Sequence, residues 1–386
     1  MQILFEVIRM KKILLVAVIS DIHFGALPAR ELYVQLIENF IKPLYKLPKL
    51  DLIVIDGDTA NHKLGLDSEH SKYLSKFINK DIKKLAKKKK CAVRWVQGTL
   101  SHDNNQLDNF MHLEESSIDL KIIKTVREED FHGFKMLYIP EEYMSDYKDY
   151  YRKYLNKSNR YDFVFGHGMF QEVAFSGAKT EIQMKKAPIF KSNDIINICK
   201  GPIIFGHIHD YTVIKDQIYY PGSFSRWCTG EEKKKGSVIA LYNKETEKYL
   251  VSRLYNDDAP KYITMNITHY LHLPFDIIKN AIEATMDETN IHKLRLNIKY
   301  TGNNKTILTN IRLVKEYYKD NKKIVVNIKN NLTLKDKTSK KLVLKYDYIF
   351  NKGESIENKI SRFIGEEYDY KISPETVRDI LFENIV

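Results

Sequence analysis

Short apolar runs alternate with longer segments of helical spacing through the first two thirds of the chain. The runs that we interpret as buried strands cover residues 13–19, 52–55, 92–96, 135–139, 163–165 and 203–205. Strands that alternate with helices are the sequence rhythm of proteins in which helices cover the faces of a sheet. The pattern therefore predicts an α/β fold.

The pattern changes near residue 256, where Asn256-Asp257-Asp258-Ala259-Pro260 follows two alternating strands and breaks the periodicity. We place a domain boundary there. The next elements predict a second α/β unit, with strands at 262–268, 293–300 and 324–328 and helices at 275–286 and 306–318. The predicted division is therefore a first domain over residues 1–255, a smaller α/β domain over 256–330, and a basic linker with a terminal helix over 331–386.

The terminal helix is predicted from its start signal and from its apolar stripe. Ser373 is a good N-cap, and Pro374 suits the first helical turn. The apolar positions that would share one face are Val377, Ile380, Leu381 and Ile385. Such a stripe must be covered, either by this chain's own second domain or by a partner.

Composition indicates the charge of a suitable partner and excludes one class of protein. The chain has 386 residues, 29% of them charged, and its 62 Lys and Arg against 50 Asp and Glu give a formal charge of +12. The charged residues together with 12% aromatic residues exclude a low-complexity disordered chain. The positive charge suits an anionic partner, although a Lys-rich composition alone explains it equally well. No stretch approaches the roughly 18 apolar residues of a membrane span, so no membrane association is predicted.

The cysteines and the N-terminus predict a cytoplasmic protein. Cys91, Cys199 and Cys228 are odd in number and widely spaced, so neither a disulfide framework nor a thiolate zinc site is supported. Lys11 and Lys12 before the apolar run imitate a signal peptide. We interpret the run as a strand because it is short and carries no cleavage pattern.

Polar clusters follow several of the predicted strands. They are Asp21-Ile22-His23, Gly57-Asp58, Gly98 to His102-Asp103, Gly166-His167-Gly168 and Gly206-His207-Ile208-His209. Sites in α/β sheets gather outside the carboxyl ends of the strands, so these clusters predict one shared site. Carboxylate oxygens and imidazole nitrogens from several segments are suited to divalent metals, and Asp58 in its Gly-Asp turn is suited to bridging a pair.

The order of these motifs resembles the calcineurin-like metallophosphoesterases: Asp-x-His, Gly-Asp, His-Asp, Gly-His and Gly-His-x-His, over the chain up to Leu254. A narrower match follows the last motif, where Tyr220-Pro221-Gly222-Ser223, Arg226, Glu231-Glu232 and Lys235-Gly236 look like the SbcD-type nuclease subunits of DNA repair. The resemblance, which includes phage or other viral versions, implies a four-layer β-sandwich flanked by helices. It also implies a small α/β capping domain and a C-terminal helical tail that docks an SbcC-type ATPase.

The resemblance also implies roles for individual residues. Metal ligands would be Asp21, His23 and His209 for one ion, His167 and His207 for the other, and Asp58 between them. His102 would be the general acid, oriented by Asp103. Arg226 and His62 are candidates for substrate contact, although His62 also fits a solvated loop.

One departure from the family pattern concerns the third motif. The family usually has Gly-Asn-His followed by Asp or Glu, with Asn as a ligand of the second metal. This chain has Gly98-Thr99-Leu100-Ser101-His102-Asp103. Counting back from His102 puts Ser101 in the Asn position, with Asn104 or Asn105 as alternative donors.

Three hypotheses of function follow. The first is a DNA nuclease with two divalent ions, for which Mn²⁺ is favoured and Fe²⁺, Mg²⁺ and Zn²⁺ are left open. It would work with an SbcC-type ATPase, with a homodimer left open, in the cytoplasm or, for a viral version, in the host cytoplasm. The second is a metallophosphatase or small-molecule phosphodiesterase. The third is a DNA-binding scaffold with a weakened metal site.

Overall fold

The computed structural model describes residues 12–103, 105–114, 117–144, 146–156, 158, 160–174, 188–228, 230–287, 291–300, 304–330, 355–368 and 373–382. Strands are numbered below in chain order. The molecule is a mixed α/β structure, as the sequence predicts. It divides into two compact units, of which the first extends to Ile263 and includes Asn290–Lys293.

One sheet of the first unit has the order β14-β13-β1-β2-β3-β4. Its strands are β1 (Ile13–Ile19), β2 (Leu52–Asp56), β3 (Ala92–Val96), β4 (Leu120–Ile123), β13 (Gly236–Asn243) and β14 (Lys248–Tyr255). Strands β1 to β4 pair in parallel, and β13 pairs antiparallel to β1. Strands β1, β2 and β3 are fully buried, which explains why they are continuous apolar runs rather than alternating ones.

The other large sheet has the order β11-β12-β10-β7-β6-β5. Its strands are β5 (Arg127–Phe131), β6 (Phe134–Ile139), β7 (Phe163–His167), β10 (Ile203–Gly206), β11 (Thr212–Ile214) and β12 (Ile218–Tyr220). Strands β6, β7, β10 and β12 are parallel neighbours. A further pair, β8 (Met169–Phe170) and β9 (Ile189–Phe190), lies apart from this sheet.

Hydrophobic clusters join these sheets to each other and to helices. One cluster combines Val16 and Val54 of the first sheet with Met136 and Phe165 of the second. The opposite face of the first sheet packs on the long helical segments Ala29–Leu36, Ile37–Ile41 and Lys42–Lys46, and Glu69–Lys76, Phe77–Ile82 and Lys83–Lys89. The opposite face of the second sheet packs with residues from Tyr147–Arg152 and Ser192–Ile196. Shorter helical segments are Leu100–Asp103, Gln106–Leu113 and Gln171–Ala174.

The second unit comprises Thr264–Thr289 and Leu294–Val386. A sheet of order β15-β16-β17 is formed by β15 (Lys261–Asn266), β16 (Ile291–Tyr300) and β17 (Ile324–Asn330). Its helices are Thr268–Tyr270, Phe275–Met286, Lys305–Tyr318, Ile356–Tyr368 and Pro374–Phe382. The helices Ile356–Tyr368 and Pro374–Phe382 belong to the second unit. The predicted division at residues 255 and 330 stays a prediction.

The C-terminal helix begins as the sequence predicts. The Ser373 hydroxyl accepts a hydrogen bond from the Thr376 N–H at 3.1 Å, which is the N-cap interaction. Of the predicted apolar stripe, Val377 is buried, and the helix packs on Ile356–Tyr368. The side chains of Ile380 and Leu381, and all of Ile385, lie outside the described residues.

Within the part of the chain that the structure describes, no helix has both the length and the apolar character that a bilayer crossing requires.

Candidate metal centre

Parallel pairing brings the predicted polar clusters to the carboxyl ends of neighbouring strands. Asp21 follows β1, Asp58 follows β2, His167 ends β7 and His207 follows β10. The two sheets also share hydrogen bonds here, because the His207 N–H donates to both carboxylate oxygens of Asp21 at 3.1 Å. The separated sequence motifs therefore meet in one place.

The backbone at these positions adopts an unusual conformation. Asp21, His23, Asp58 and His207 have φ values of +49°, +54°, +45° and +97°. A left-handed conformation costs a residue with a Cβ roughly 1–2 kcal/mol, and such strain concentrates at functional sites. Four of the predicted metal ligands have this conformation, so contacts elsewhere in the fold must compensate for the backbone strain at these turns.

Gly57 makes the close packing of this centre achievable. Its φ is +82°, and a Cβ added to it would lie 2.1 Å from Nδ1 of His167. No other residue type fits between Asp58 and the His167 ring. The Gly-Asp motif is therefore required by space as well as by chemistry.

Asp21, His23 and His209 form the first group of ligands. Nε2 of His23 lies 3.0 Å from Nε2 of His209, and both nitrogens lie 3.8–3.9 Å from Oδ1 of Asp21. Nδ1 of His209 lies 3.0 Å from Oε1 of Glu231, so the ring donates there and directs its Nε2 lone pair at His23. A carboxylate behind a ligand histidine is the usual second layer of a metal site.

His167, His207 and Asp58 form another group. Nδ1 of His167 donates to the Asp56 carbonyl at 2.9 Å, which leaves a lone pair on Nε2. That nitrogen is fully buried and has no hydrogen-bond partner among the described residues. It faces Oδ2 of Asp58 at 3.2 Å. An imidazole nitrogen and a carboxylate oxygen at this distance are stabilised by a cation, either a proton on Nε2 or a metal ion, and a metal ion fits this donor set.

Asp58 links the groups. It forms one cluster of close ligand atoms with His167 and His207, and another with His23 and His102. The Thr99 N–H donates to its Oδ1 at 2.6 Å and fixes the carboxylate. Its position between histidines of both groups is the one that the sequence predicts for a bridging residue.

The electrostatics of the buried groups favour a cation. Burial lowers the pKa of His23 well below its usual range, which keeps the ring in the neutral form that binds metals. Burial alone would raise the pKa of the Asp58 carboxyl, but the adjacent His167 outweighs it and holds that pKa far below the usual range. Conversely, burial would lower the pKa of His167, yet Asp58, Asp21 and Glu141 raise it. A positive charge is thus stabilised at this point.

The predicted pairing of His102 with Asp103 is not what the structure shows. Nδ1 of His102 donates to the Asn61 carbonyl at 2.5 Å. The Asp103 carboxylate instead accepts hydrogen bonds from the N–H groups of Gly98, Thr59 and Ala60. Burial and the charge of Asp58 raise its pKa to about 7. Asp103 therefore holds loops together, and a carbonyl orients the histidine.

The structure places Thr99, rather than Ser101, beside the candidate ligands. Ser101 is exposed, whereas Oγ1 of Thr99 lies 3.2 Å from Oδ2 of Asp58 and 3.2 Å from Oε2 of Glu141. The motif is two residues longer than the family pattern, and Leu100–Asp103 form a helical turn after Thr99. Ser101 lies on the exposed side of this turn. Asn105 has a φ of +49°, and Asn104 lies outside the described residues.

We expect Thr99→Val to raise the Mn²⁺ concentration needed for half-maximal activity by roughly 3- to 10-fold, because the hydroxyl that contacts Asp58 and Glu141 is lost at nearly constant shape. Ser101→Ala removes a hydroxyl two residues away and should leave that concentration unchanged. Metal titrations of activity compare the two variants. A larger effect at Ser101 than at Thr99 would restore Ser101 as the ligand.

The two candidates for substrate contact, Arg226 and His62, lie in different surroundings. The guanidinium of Arg226 donates to the carbonyls of Lys233, Ala259 and Glu232, so it secures backbone rather than presenting its nitrogens to a phosphate. The role of Arg226 in substrate contact stays a prediction. His62 is exposed, with its ring beside Gly25, close to the turn that carries His23.

Sequence reasoning missed Glu141 and the roles of Glu231 and Trp227. Glu141 follows the carboxyl end of β6, the parallel neighbour of β7, and this position was the available signal. Burial would raise the pKa of Glu141, but His207 and His167 lower it. The Trp227 ring centre lies 5.3 Å from those of His23 and His209 and forms a wall of the centre.

No protein-family model matches the chain, and no curated protein matches it either. The geometry is therefore the basis for assigning chemistry. It establishes buried groups of Asp and His that could hold a metal ion.

Proposed function

We propose that the chain is a metal-dependent phosphodiester hydrolase of the calcineurin-like metallophosphoesterase type, and specifically a DNA nuclease subunit similar to SbcD. The observation that carries the proposal is the pair of buried Asp and His groups joined through Asp58. The order of these residues along the chain is the order in which that superfamily uses its ligands.

The fold supports the superfamily assignment. The large sheets share a hydrophobic cluster, and each packs on helices with its opposite face. This is the pattern expected for a four-layer sandwich. The smaller α/β unit would then be the capping domain.

The donor set favours two divalent ions, with Mn²⁺ as the preferred metal. Asp21, His23 and His209 would hold one ion, His167 and His207 the other, and Asp58 both. Mixed oxygen and imidazole donors without a thiolate suit Mn²⁺ better than a soft metal. When bound, such a pair supplies an activated water and neutralises the charge of the phosphate.

The chain's own residues supply positioning and a proton. Glu231 and the Asp56 carbonyl fix the rings of His209 and His167, so that the ligand nitrogens stay in place during turnover. In protonated His102, the Asn61 carbonyl holds the proton at Nδ1, and the proton at Nε2 is available to the leaving sugar oxygen. The Trp227 ring packs against the rings of His23 and His209.

The segment after the last histidine motif favours a nuclease over a phosphatase. Lys235 is buried and donates to the carbonyl of His209 at 2.8 Å, and it lies 3.6 Å from Glu231. Glu231 and Lys235, two of the residues that carry the narrower resemblance to SbcD, therefore lie beside His209. The formal charge of +12 suits a polyanionic substrate.

The proposal is tested with the purified chain on linear duplex DNA, single-stranded DNA, a chromogenic phosphodiester and a chromogenic phosphomonoester, each titrated with Mn²⁺. We expect Mn²⁺-dependent cleavage of DNA and of the diester. Hydrolysis of the monoester alone would favour the phosphatase, and DNA binding without cleavage of any substrate would favour the scaffold.

The C-terminal helices are the proposed docking element for an SbcC-type ATPase. The helix Ile356–Tyr368 packs on Pro374–Phe382 and exposes 67% of Ile356 and 37% of Phe363. Exposed apolar side chains on a helical pair are suited to a partner's coiled coil. In this proposal, the complex acts in the cytoplasm.

We expect truncation after Lys371 to preserve the fold and Mn²⁺-dependent cleavage of single-stranded DNA, because the metal centre lies in the first unit. Binding of an SbcC-type ATPase and ATP-stimulated cleavage of duplex ends should be lost. Co-purification and nuclease assays measure both. Aggregation or a large drop in melting temperature would instead mean that Val377 and its neighbours serve the chain's own fold.

A further inference from the structure

We propose that Glu141 is a metal ligand and supplies a carboxylate at the His167–His207 group, where the family pattern has the neutral amide of Asn. The inference rests on the proposed metal-dependent function and adds a residue to its site. It also gives the departure in the third motif a structural explanation, since the missing donor comes from a different strand.

Distances place Oε2 of Glu141 among the ligand atoms. It lies 3.0 Å from Nδ1 of His207, 3.8 Å from Nε2 of His167 and 3.2 Å from Oγ1 of Thr99. Oδ2 of Asp58 lies 3.2 Å from the same His167 nitrogen. Ligands bound at about 2.1 Å around one ion are separated by roughly 3–4 Å. The spacing of these atoms is that of a coordination shell.

The rest of the residue is arranged to aim this one oxygen. Glu141 is 1% exposed, and the Tyr143 hydroxyl donates to its Oε1 at 2.6 Å. Its Oε2 then faces Nε2 of His167, the buried nitrogen without a hydrogen-bond partner among the described residues. A buried carboxylate held at one oxygen, with its other oxygen aimed at a histidine nitrogen that has no hydrogen-bond partner among the described residues, is suited to a ligand role.

Glu141 could instead act only as a hydrogen-bond acceptor that orients His207. That role requires the proton on Nδ1 and the ligand lone pair on Nε2. Nδ1, however, is the nitrogen that lies 3.5 Å from Thr99 Oγ1, on the side of Asp58. In the proposal, Nδ1 of His207 carries the lone pair that binds the metal, so His207 and Glu141 would share one ion.

A carboxylate in this position changes the charge of the centre. Asp21, Asp58 and Glu141 together would bring three negative charges to two divalent ions, one more than the family pattern supplies. The additional charge should strengthen binding of the second ion and favour hard cations such as Mn²⁺ and Mg²⁺.

The test measures Mn²⁺ binding to the full-length chain by isothermal titration and by the EPR signal of free Mn²⁺. Glu141→Gln should weaken one of two binding events by at least about 10-fold and leave the other within a factor of about 3. Glu142→Gln is the matched control, because its carboxylate contacts Tyr150, Tyr151 and the Val126 N–H instead. It should bind as the wild type does.

If both Mn²⁺ binding events have the same affinities in Glu141→Gln as in the wild type, the inference is overturned and the proposed function still stands. A wild-type chain that binds no Mn²⁺, Mg²⁺, Fe²⁺ or Zn²⁺ would overturn both. If Glu141→Gln fails to fold, Tyr143→Phe takes its place. Loss of that hydroxyl should weaken the same event by a few-fold, and an unchanged event there would count against Glu141.

Discussion

Replacement of Asp58 by alanine is expected to reduce DNA cleavage by about 10³-fold or more. The carboxylate lies between the histidines of both ligand groups, so in the proposed centre its loss would remove a ligand from each ion and the negative charge between the ions. Several kcal/mol of transition-state stabilisation correspond to three or more powers of ten in rate. Single-turnover cleavage of linear DNA in Mn²⁺ measures the effect.

Two variants keep this result interpretable. Asp58→Asn retains the shape of the side chain, and asparagine tolerates the positive φ. Activity close to zero in both Asp58→Asn and Asp58→Ala would therefore assign the effect to the charge of Asp58. Asp162→Asn removes another buried carboxylate of the first unit, whose contacts are Lys135, Tyr242 and Lys244. It should keep its activity wherever it is folded. Wild-type turnover in Asp58→Asn would be incompatible with a bridging role.

Replacement of His102 by alanine is expected to slow DNA cleavage by about 10²–10⁴-fold while the bound metal is retained. The ring is held at Nδ1 by the Asn61 carbonyl, which leaves Nε2 for the leaving oxygen. The nitrophenolate of a nitrophenyl diester leaves without help from an acid, so hydrolysis of that diester should fall much less. The ratio of the two rates, measured on one preparation, isolates proton donation.

Loss of metal together with activity would give His102 another role. Its atoms lie close to those of His23 and Asp58, so a ligand function is the competing explanation. Equal slowing of DNA and of the nitrophenyl diester, with lower metal content, would establish that function.

The fold was predictable where buried strands are uniformly apolar. Strands β1 and β3 and the helix Phe275–Met286 have the bounds that periodicity predicts. Short or partly exposed strands such as β5 and β11 were missed, because their side chains are mostly polar or half-buried. Their pairing depends on neighbours that are distant in sequence.

The candidate site was predictable where strand ends carry Asp or His in recognisable motifs. Thr99, Glu141 and Arg226 show the limit. Glu141 lies just after β6, and Arg226 donates to backbone carbonyls. Neither position can be predicted from the spacing of residues within one segment. Counting residues back from His102 selected Ser101, because a count cannot tell that the extra residues form a helical turn.

The proposed metal centre is tested most directly by diffraction from a crystal of the full-length chain, grown with Mn²⁺ and recorded near the manganese absorption edge. We expect anomalous peaks on both sides of the Asp58 carboxylate, one contacting Asp21, His23 and His209, and the other contacting His167, His207 and Glu141. Ordered side chains at these positions with no anomalous peak at saturating Mn²⁺ would rule out a manganese centre here.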